Sequence, residues 1–199
     1  ANSGNSAFFL YKNNGDGTFA TGTQIATAKD SGAKHTTLVD LDGDGDLDLI
    51  TSAADGFAVY SNTGGTFNKT QDFTGSAPWW TAAGDVDGDG DIDFIGADEG
   101  NNIGNNSFKL FKNNGSGVFT TGVGINLGDT TISNRARFVE LEDVDGDGDL
   151  DLITANGVNF GVALNDGKGN FSAAEKITPT VGSGANSVIF ADIDEDGAK

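Results

Sequence analysis

The chain contains no cysteine, which removes disulfide staples and thiolate chemistry together. Proline is nearly absent, at 2 residues in 199. Histidine occurs once, at His35, so a histidine-based nucleophile triad has one centre and no evident partner. Basic residues are scarce: 11 Lys and Arg stand against 30 Asp and Glu, for a formal charge of −19. A chain this acidic repels nucleic-acid phosphates and anionic membrane surfaces. No apolar run approaches the roughly 18 residues of a membrane span, so no membrane insertion is expected. The opening A-N-S-G-N-S does not resemble a signal peptide and points to a mature, trimmed or partial chain.

Glycine, at 31 residues, and phenylalanine, at 14, are abundant, and 36% of the chain is hydrophobic. That is too apolar for a disordered acidic tail. Many glycines among β-branched and aromatic residues indicate short strands joined by tight turns.

Internal repeats dominate. An acidic loop recurs as D-L-D-G-D-G-D-L-D, carrying Asp40, Asp42, Asp44, Asp46 and Asp48. It returns as D-V-D-G-D-G-D-I-D with Asp85, Asp87, Asp89, Asp91 and Asp93, then as D-V-D-G-D-G-D-L-D with Asp143, Asp145, Asp147, Asp149 and Asp151. A fourth, incomplete copy holds Asp192, Asp194 and Asp196. A second motif alternates with the first: L-Y-K-N-N-G-D-G-T-F (10–19), V-Y-S-N-T-G-G-T-F (59–67), L-F-K-N-N-G-S-G-V-F (110–119) and A-L-N-D-G-K-G-N-F (163–171). Each is an apolar run, an Asn/Gly turn and an aromatic residue, the pattern of a β-hairpin. Phe19, Phe67, Phe119 and Phe171 are followed six residues later by Ile25, Phe73, Ile125 and Ile177, an even spacing that puts each pair on one strand face.

Each repeat therefore reads as four strands in about 50 residues, with almost no helix. In the first full repeat they fall around Thr37–Val39, Leu47–Ser52, Phe57–Asn62 and Thr66–Phe73. Adjacent apolar residues in strands one and two (Leu38-Val39, Leu49-Ile50, Phe138-Val139, Val188-Ile189-Phe190) require cover on both sheet faces. Stacked blades of a β-propeller supply that cover. The expected architecture is an all-β propeller region over 1–199, with units at roughly 1–30 (partial), 31–75, 76–128, 129–180 and 181–199 (partial). Fifteen strands make about four blades, a count that also suits a segment of a larger propeller.

Carboxylates at positions one, three, five and nine of a tight loop converge on one point. Calcium takes six to eight hard oxygen ligands, so three complete calcium sites and a fourth partial one at the C-terminus are expected. Asp46, Asp91 and Asp149 at position seven would contribute backbone carbonyls. Magnesium demands a stricter octahedron and suits the loops less well. An EF-hand needs Glu at position twelve and flanking helices. Position twelve here is Thr51, Gly96 or Thr154, and the flanks read as strands.

The alternation of D-x-D-G-D-G-x-x-D-[LI] with L-x-N-x-G-x-G-x-F resembles the FG-GAP/VCBS repeat family across essentially the whole chain. The resemblance implies a calcium-bound propeller of the kind found in bacterial surface and secreted proteins and, in related form, in integrin α-subunits. It implies an extracellular or cell-surface location.

Loop lengths separate the two propeller faces. The Asp loops are constant in length, and the hairpins nearly so. The links from strand four to the next strand one vary from twelve to eighteen residues, and one 2–3 loop carries an insertion at 98–107. Variation thus lies on the face opposite the Asp loops, where binding loops can change on a fixed scaffold. The same links carry Lys34, His35, Trp79, Trp80, Arg135 and Arg137. Trp offers a flat face to a sugar or side chain, and Arg a fork for carboxylates. A non-catalytic module recognising a glycan or a cell-surface protein is the reading favoured. The alternatives are a structural subunit of an extracellular filament or surface layer, self-associating through terminal edge strands, and a polysaccharide-degrading enzyme. Asn68, Asn105, Asn114 and Asn170 lie in glycosylation sequons.

Overall fold

The structure, a computed structural model, describes residues 8–25, 32–75, 77–99, 107–129, 131, 136–178 and 186–192. Strands form where apolar runs meet Asn/Gly turns. A first hairpin pairs β1 (Phe9–Leu10) with β2 (Thr23–Gln24). Three four-stranded antiparallel sheets follow in meander order. The first holds β3 (His35–Val39), β4 (Asp48–Ala53), β5 (Gly56–Thr63) and β6 (Thr66–Thr74). The second holds β7 (Pro78–Gly84), β8 (Asp93–Asp98), β9 (Phe108–Phe111) and β10 (Val123–Gly124). The third holds β11 (Phe138–Glu142), β12 (Asp151–Ala155), β13 (Phe160–Ala163) and β14 (Glu175–Ile177). These are propeller blades. Their first strands lie side by side, with β7 packed against both β3 and β11.

The second strands of all three blades, β4, β8 and β12, are buried at every residue, as side-by-side apolar residues require. β3 departs from that expectation: Leu38 is 52% exposed, while Phe138 and Val139 of β11 are buried. In β3 it is Thr37 and Val39 that face the second blade, so Leu38, alternating with them, turns to the opposite face. Phe67 and Phe73 share the half-buried face of β6, as their even spacing predicts. The outer strands of the later blades are shorter than expected. There the hairpin closes through isolated bridges, Asn113 to Phe119 and Asn165 to Phe171, before two or three residues pair again. The strand expected at Val188–Phe190 is not formed: those residues take no strand conformation, and Ile189 is 87% exposed.

Apolar side chains fuse adjacent blades. Phe57 and Phe73 of the first blade meet Phe94 and Phe111 of the second, with Phe94 and Phe111 stacked at 4.3 Å between ring centres and Phe119 edge-on to Phe94. Gly96 is required beneath them, since a Cβ there would lie 2.4 Å from Cζ of Phe57. Val86, Ile95, Leu110, Leu127, Val139 and Leu152 fill the next junction. Phe8 and Ile25 from the first hairpin pack on Leu49, Ala58 and Tyr60. Each such fully buried side chain contributes about 1.5–3 kcal/mol.

Candidate metal centres and the opposite face

Each complete Asp loop bridges the first and second strands of a blade. The position-one carboxylate organises the loop. Asp40 accepts from the backbone N–H of Gly43 at 2.8 Å and Gly45 at 3.0 Å, and Asp85 and Asp143 repeat the arrangement. Gly43 and Gly45 curl back with φ of 74° and 92°, a region glycine enters without strain.

Carboxylates at positions one, three and nine come together. Ligand oxygens of Asp40, Asp42 and Asp48 lie within 4.8 Å of one another, as do those of Asp85, Asp87 and Asp93 and of Asp143, Asp145 and Asp151. Position five stays outside these clusters: Oδ1 of Asp44, Asp89 and Asp147 instead accepts the N–H two residues on. The position-seven side chain turns to the hairpin. Oδ2 of Asp46 accepts from Gly64 N–H at 2.8 Å. Asp91 and Asp149 press so close to Gly115 and Gly167 that a Cβ there would sit 2.7 Å and 2.5 Å from their Oδ2 atoms.

The position-nine aspartates are the buried members, and their carboxylates join the loop to the hairpin. Asp48 accepts from Leu41 N–H and Asn62 N–H, Asp93 from Val86 and Asn113, and Asp151 from Val144 and Asn165. Burial raises the pKa of Asp48 and pushes Asp93 up to about 6, with the backbone N–H bonds opposing and neighbouring loop carboxylates adding to the rise. Asp145 and Asp149 are raised as well, by desolvation first and then by like charges. Like charges crowded in this way are relieved by a cation. Every candidate ligand is a carboxylate oxygen, the donor set of a hard divalent ion. Oδ1 of Asp87 is buried and has no hydrogen-bond partner among the described residues, so an acceptor is already in place at the second cluster. The residues present fit a metal ion at each of the three loops. Asp192 is described but stands in no such cluster among the described residues, and Asp194 and Asp196 lie outside them.

Sequence reasoning overlooked the first hairpin asparagine. Asn113 Nδ2 donates to the Leu41 carbonyl of the preceding blade at 2.8 Å, and Asn165 Nδ2 donates to the Val86 carbonyl at 2.7 Å. Both also hold the loop carbonyl of their own blade, at Ile92 and Leu150. Among the described residues, Asn62 Nδ2 donates only within its own blade, to Leu47. The recurrence of N in L-x-N-x-G was the available signal. Asn113→Ala or Asn165→Ala leaves two backbone carbonyls without their donor, at about 1–3 kcal/mol for each group left unsatisfied. Asn62→Ala should cost less than either, and urea denaturation of the three variants checks the order.

On the opposite face, His35, Trp79 and Trp80 belong to the inner strands rather than to the links. The register of β7 and β8 slips between Pro78 and Trp80, and the bulge leaves Trp79 unpaired. Trp80 stacks on His35 at 3.7 Å and packs beside Phe138 at 5.2 Å, so it ties three inner strands together. Thr81 N–H donates to Nδ1 of His35, and burial lowers the His35 pKa to about 4, so the ring is neutral at physiological pH. Trp79 is different. Lys34 Nζ lies 4.3 Å from its ring centre and the Arg137 guanidinium 5.3 Å, a cation–aromatic cluster drawn from β7 and the links that lead into β3 and β11. Arg137 also pairs with Glu99 at 3.1 Å, and its Nε is buried with no hydrogen-bond partner among the described residues. Arg135 and most of the 98–107 insertion lie outside the described residues.

Repeated blades, each with an Asp loop on the same edge, define the class. The FG-GAP-like repeat model matches residues 1–51, 40–96, 85–154 and 143–199, and the chain belongs to that repeat family. Successive matches overlap at the Asp loops, so each loop ends one unit and opens the next. No curated protein matches the chain. Among solved structures, it is similar to an Agrocybe aegerita lectin described as specifically recognising non-reducing terminal N-acetylglucosamine, with 28% identity and a TM-score of 0.58. That match covers 87% of this chain and 46% of the lectin, so the chain spans under half the lectin's length. It is also similar to part of the Photorhabdus luminescens Tc holotoxin pore, at 22% identity and a TM-score of 0.46, over 87% of this chain and 8% of the other.

Proposed function

We propose that this chain is a non-catalytic, extracellular β-propeller module that binds calcium on one face and recognises a glycan or cell-surface partner on the other. The observation that carries the reading is the division of labour between faces. Three carboxylate clusters occupy the edge where the Asp loops meet the hairpins, and the cation–aromatic cluster of Lys34, Trp79 and Arg137 occupies the opposite edge. Calcium suits an oxygen-only donor set in a flexible acidic loop better than magnesium does. Three ions would take the formal charge from −19 to −13. The likeness to a lectin supports a carbohydrate as the ligand. A sugar ring would lie against Trp79, with Arg137 and Lys34 bonding its hydroxyls or an acidic substituent. Trp80 serves the scaffold, because both His35 and Phe138 pack on it.

Binding to a glycan array, with calcium present, tests the recognition face. Trp79→Ala should lower signal at least tenfold while the thermal midpoint moves only slightly. Trp80→Ala should instead lower the midpoint substantially, since it removes the shared contact of three inner strands. Normal array binding by Trp79→Ala would remove the proposed ligand face and leave the metal reading standing.

A further inference from the structure

The three Asp loops share a sequence but not an electrostatic setting. In the second blade, Lys112 Nζ lies 2.7 Å from Asp87 Oδ2 and donates to the Lys168 carbonyl of the third blade at 3.2 Å. Asp87 is the position-three member of its cluster. The residue at this hairpin position is Ser61 in the first blade and Leu164 in the third, so neither of those loops faces a tethered cation from it. Loops one and three are thus internal controls for loop two.

Asp87 has one oxygen held by Lys112 and the other, Oδ1, buried without a hydrogen-bond partner among the described residues. The lysine neutralises part of the cluster's charge but leaves that oxygen unsatisfied. A divalent ion among Asp85, Asp87 and Asp93 would sit within a few ångströms of the ammonium. Like charges at that range repel appreciably even in a high dielectric, and the effect doubles for a divalent ion. From this geometry we infer that Lys112 is a built-in counter-ion of the second loop, which makes that loop the weakest of the three calcium sites and the last to fill. The inference rests on the calcium reading above and adds an order of loading to it. Its consequence is graded behaviour: loops one and three fill at lower calcium, and the second loop responds at higher calcium. Its lysine also touches the next blade, so filling bears on the junction between the second and third blades.

Isothermal titration of the whole chain with calcium chloride tests this. Asp87→Asn identifies the second-loop step as the one it abolishes. Lys112→Met keeps the aliphatic stem and removes the charge. Lys112→Gln removes the charge but keeps a donor for the Lys168 carbonyl, and it serves if the first variant folds poorly by circular dichroism. The step sensitive to Asp87→Asn should be the weakest of the three complete loops in the wild type and should tighten about tenfold in both lysine variants. An unchanged or weaker step in both variants would overturn the inference, because Lys112 would then be orienting Asp87 for the ion. A wild-type chain that takes up no calcium at all would overturn the calcium reading, and the order of loading with it.

Discussion

Removing calcium should lower the thermal midpoint of the chain by roughly 20 °C. A ligand that binds only the native state stabilises it by about 2.7 kcal/mol per site at a hundred times its dissociation constant. Three loops filled to that level contribute about 8 kcal/mol, and a chain of this size shifts by about 2–4 °C per kcal/mol. The direction follows from the clusters. In each, three carboxylates have oxygens within 4.8 Å, and burial has already pushed the Asp93 pKa up to about 6. Without a cation those charges oppose the fold, and with one they bind it. Calorimetric scans in calcium, in magnesium and in chelator should give midpoints falling in that order. Coinciding midpoints in calcium and chelator would contradict the expectation.

The largest effect of a single substitution should come from the aromatic junction of the first two blades. Phe94 is fully buried and touches Phe57, Phe73, Phe111 and Phe119. Phe94→Ala should cost about 3–5 kcal/mol, because the rings around the cavity belong to two sheets that cannot both collapse into it. Gly96→Ala should do smaller damage by the opposite route. Its Cβ would enter the Phe57 ring, and overpacking a filled core costs about 1–3 kcal/mol. Urea midpoints measured in saturating calcium separate these losses from any change in metal binding. A cost below about 1 kcal/mol for Phe94→Ala would mean that the blades pack loosely.

The blade plan was legible because it repeats. Alternating Asp loops and Asn/Gly hairpins place every strand of the first full blade within two residues of where it forms. The loops were legible as candidate metal sites because carboxylates so close together favour a cation, and positions one, three and nine of each do come within 4.8 Å of one another. Less legible was the division of labour inside them. Position five looks like a side-chain ligand in the sequence, yet Oδ1 of Asp44 caps its own turn, and the side chain of Asp46, whose backbone carbonyl was the expected ligand, docks on Gly64. The position-nine aspartate looks like one ligand among several, yet Asp48, Asp93 and Asp151 also fasten each loop to its hairpin. Such bonds depend on the blades' mutual placement. Asn113 and Leu41 are 72 residues apart, and Asn165 and Val86 are 79, separations no local pattern encodes. The two tryptophans were adjacent and chemically alike in the sequence. A bulge at Trp79 sends them to different tasks, Trp80 into the stack with His35 and Trp79 to the pair of cations.

The central claim is that the three Asp loops are calcium sites, and diffraction from crystals grown in millimolar calcium tests it most directly through the anomalous signal. The expected result is one peak in each loop, about 2.3–2.6 Å from carboxylate oxygens at positions one, three and nine. Loops free of anomalous density at that concentration, with their carboxylates bonded only to water, lysine or backbone, would contradict it.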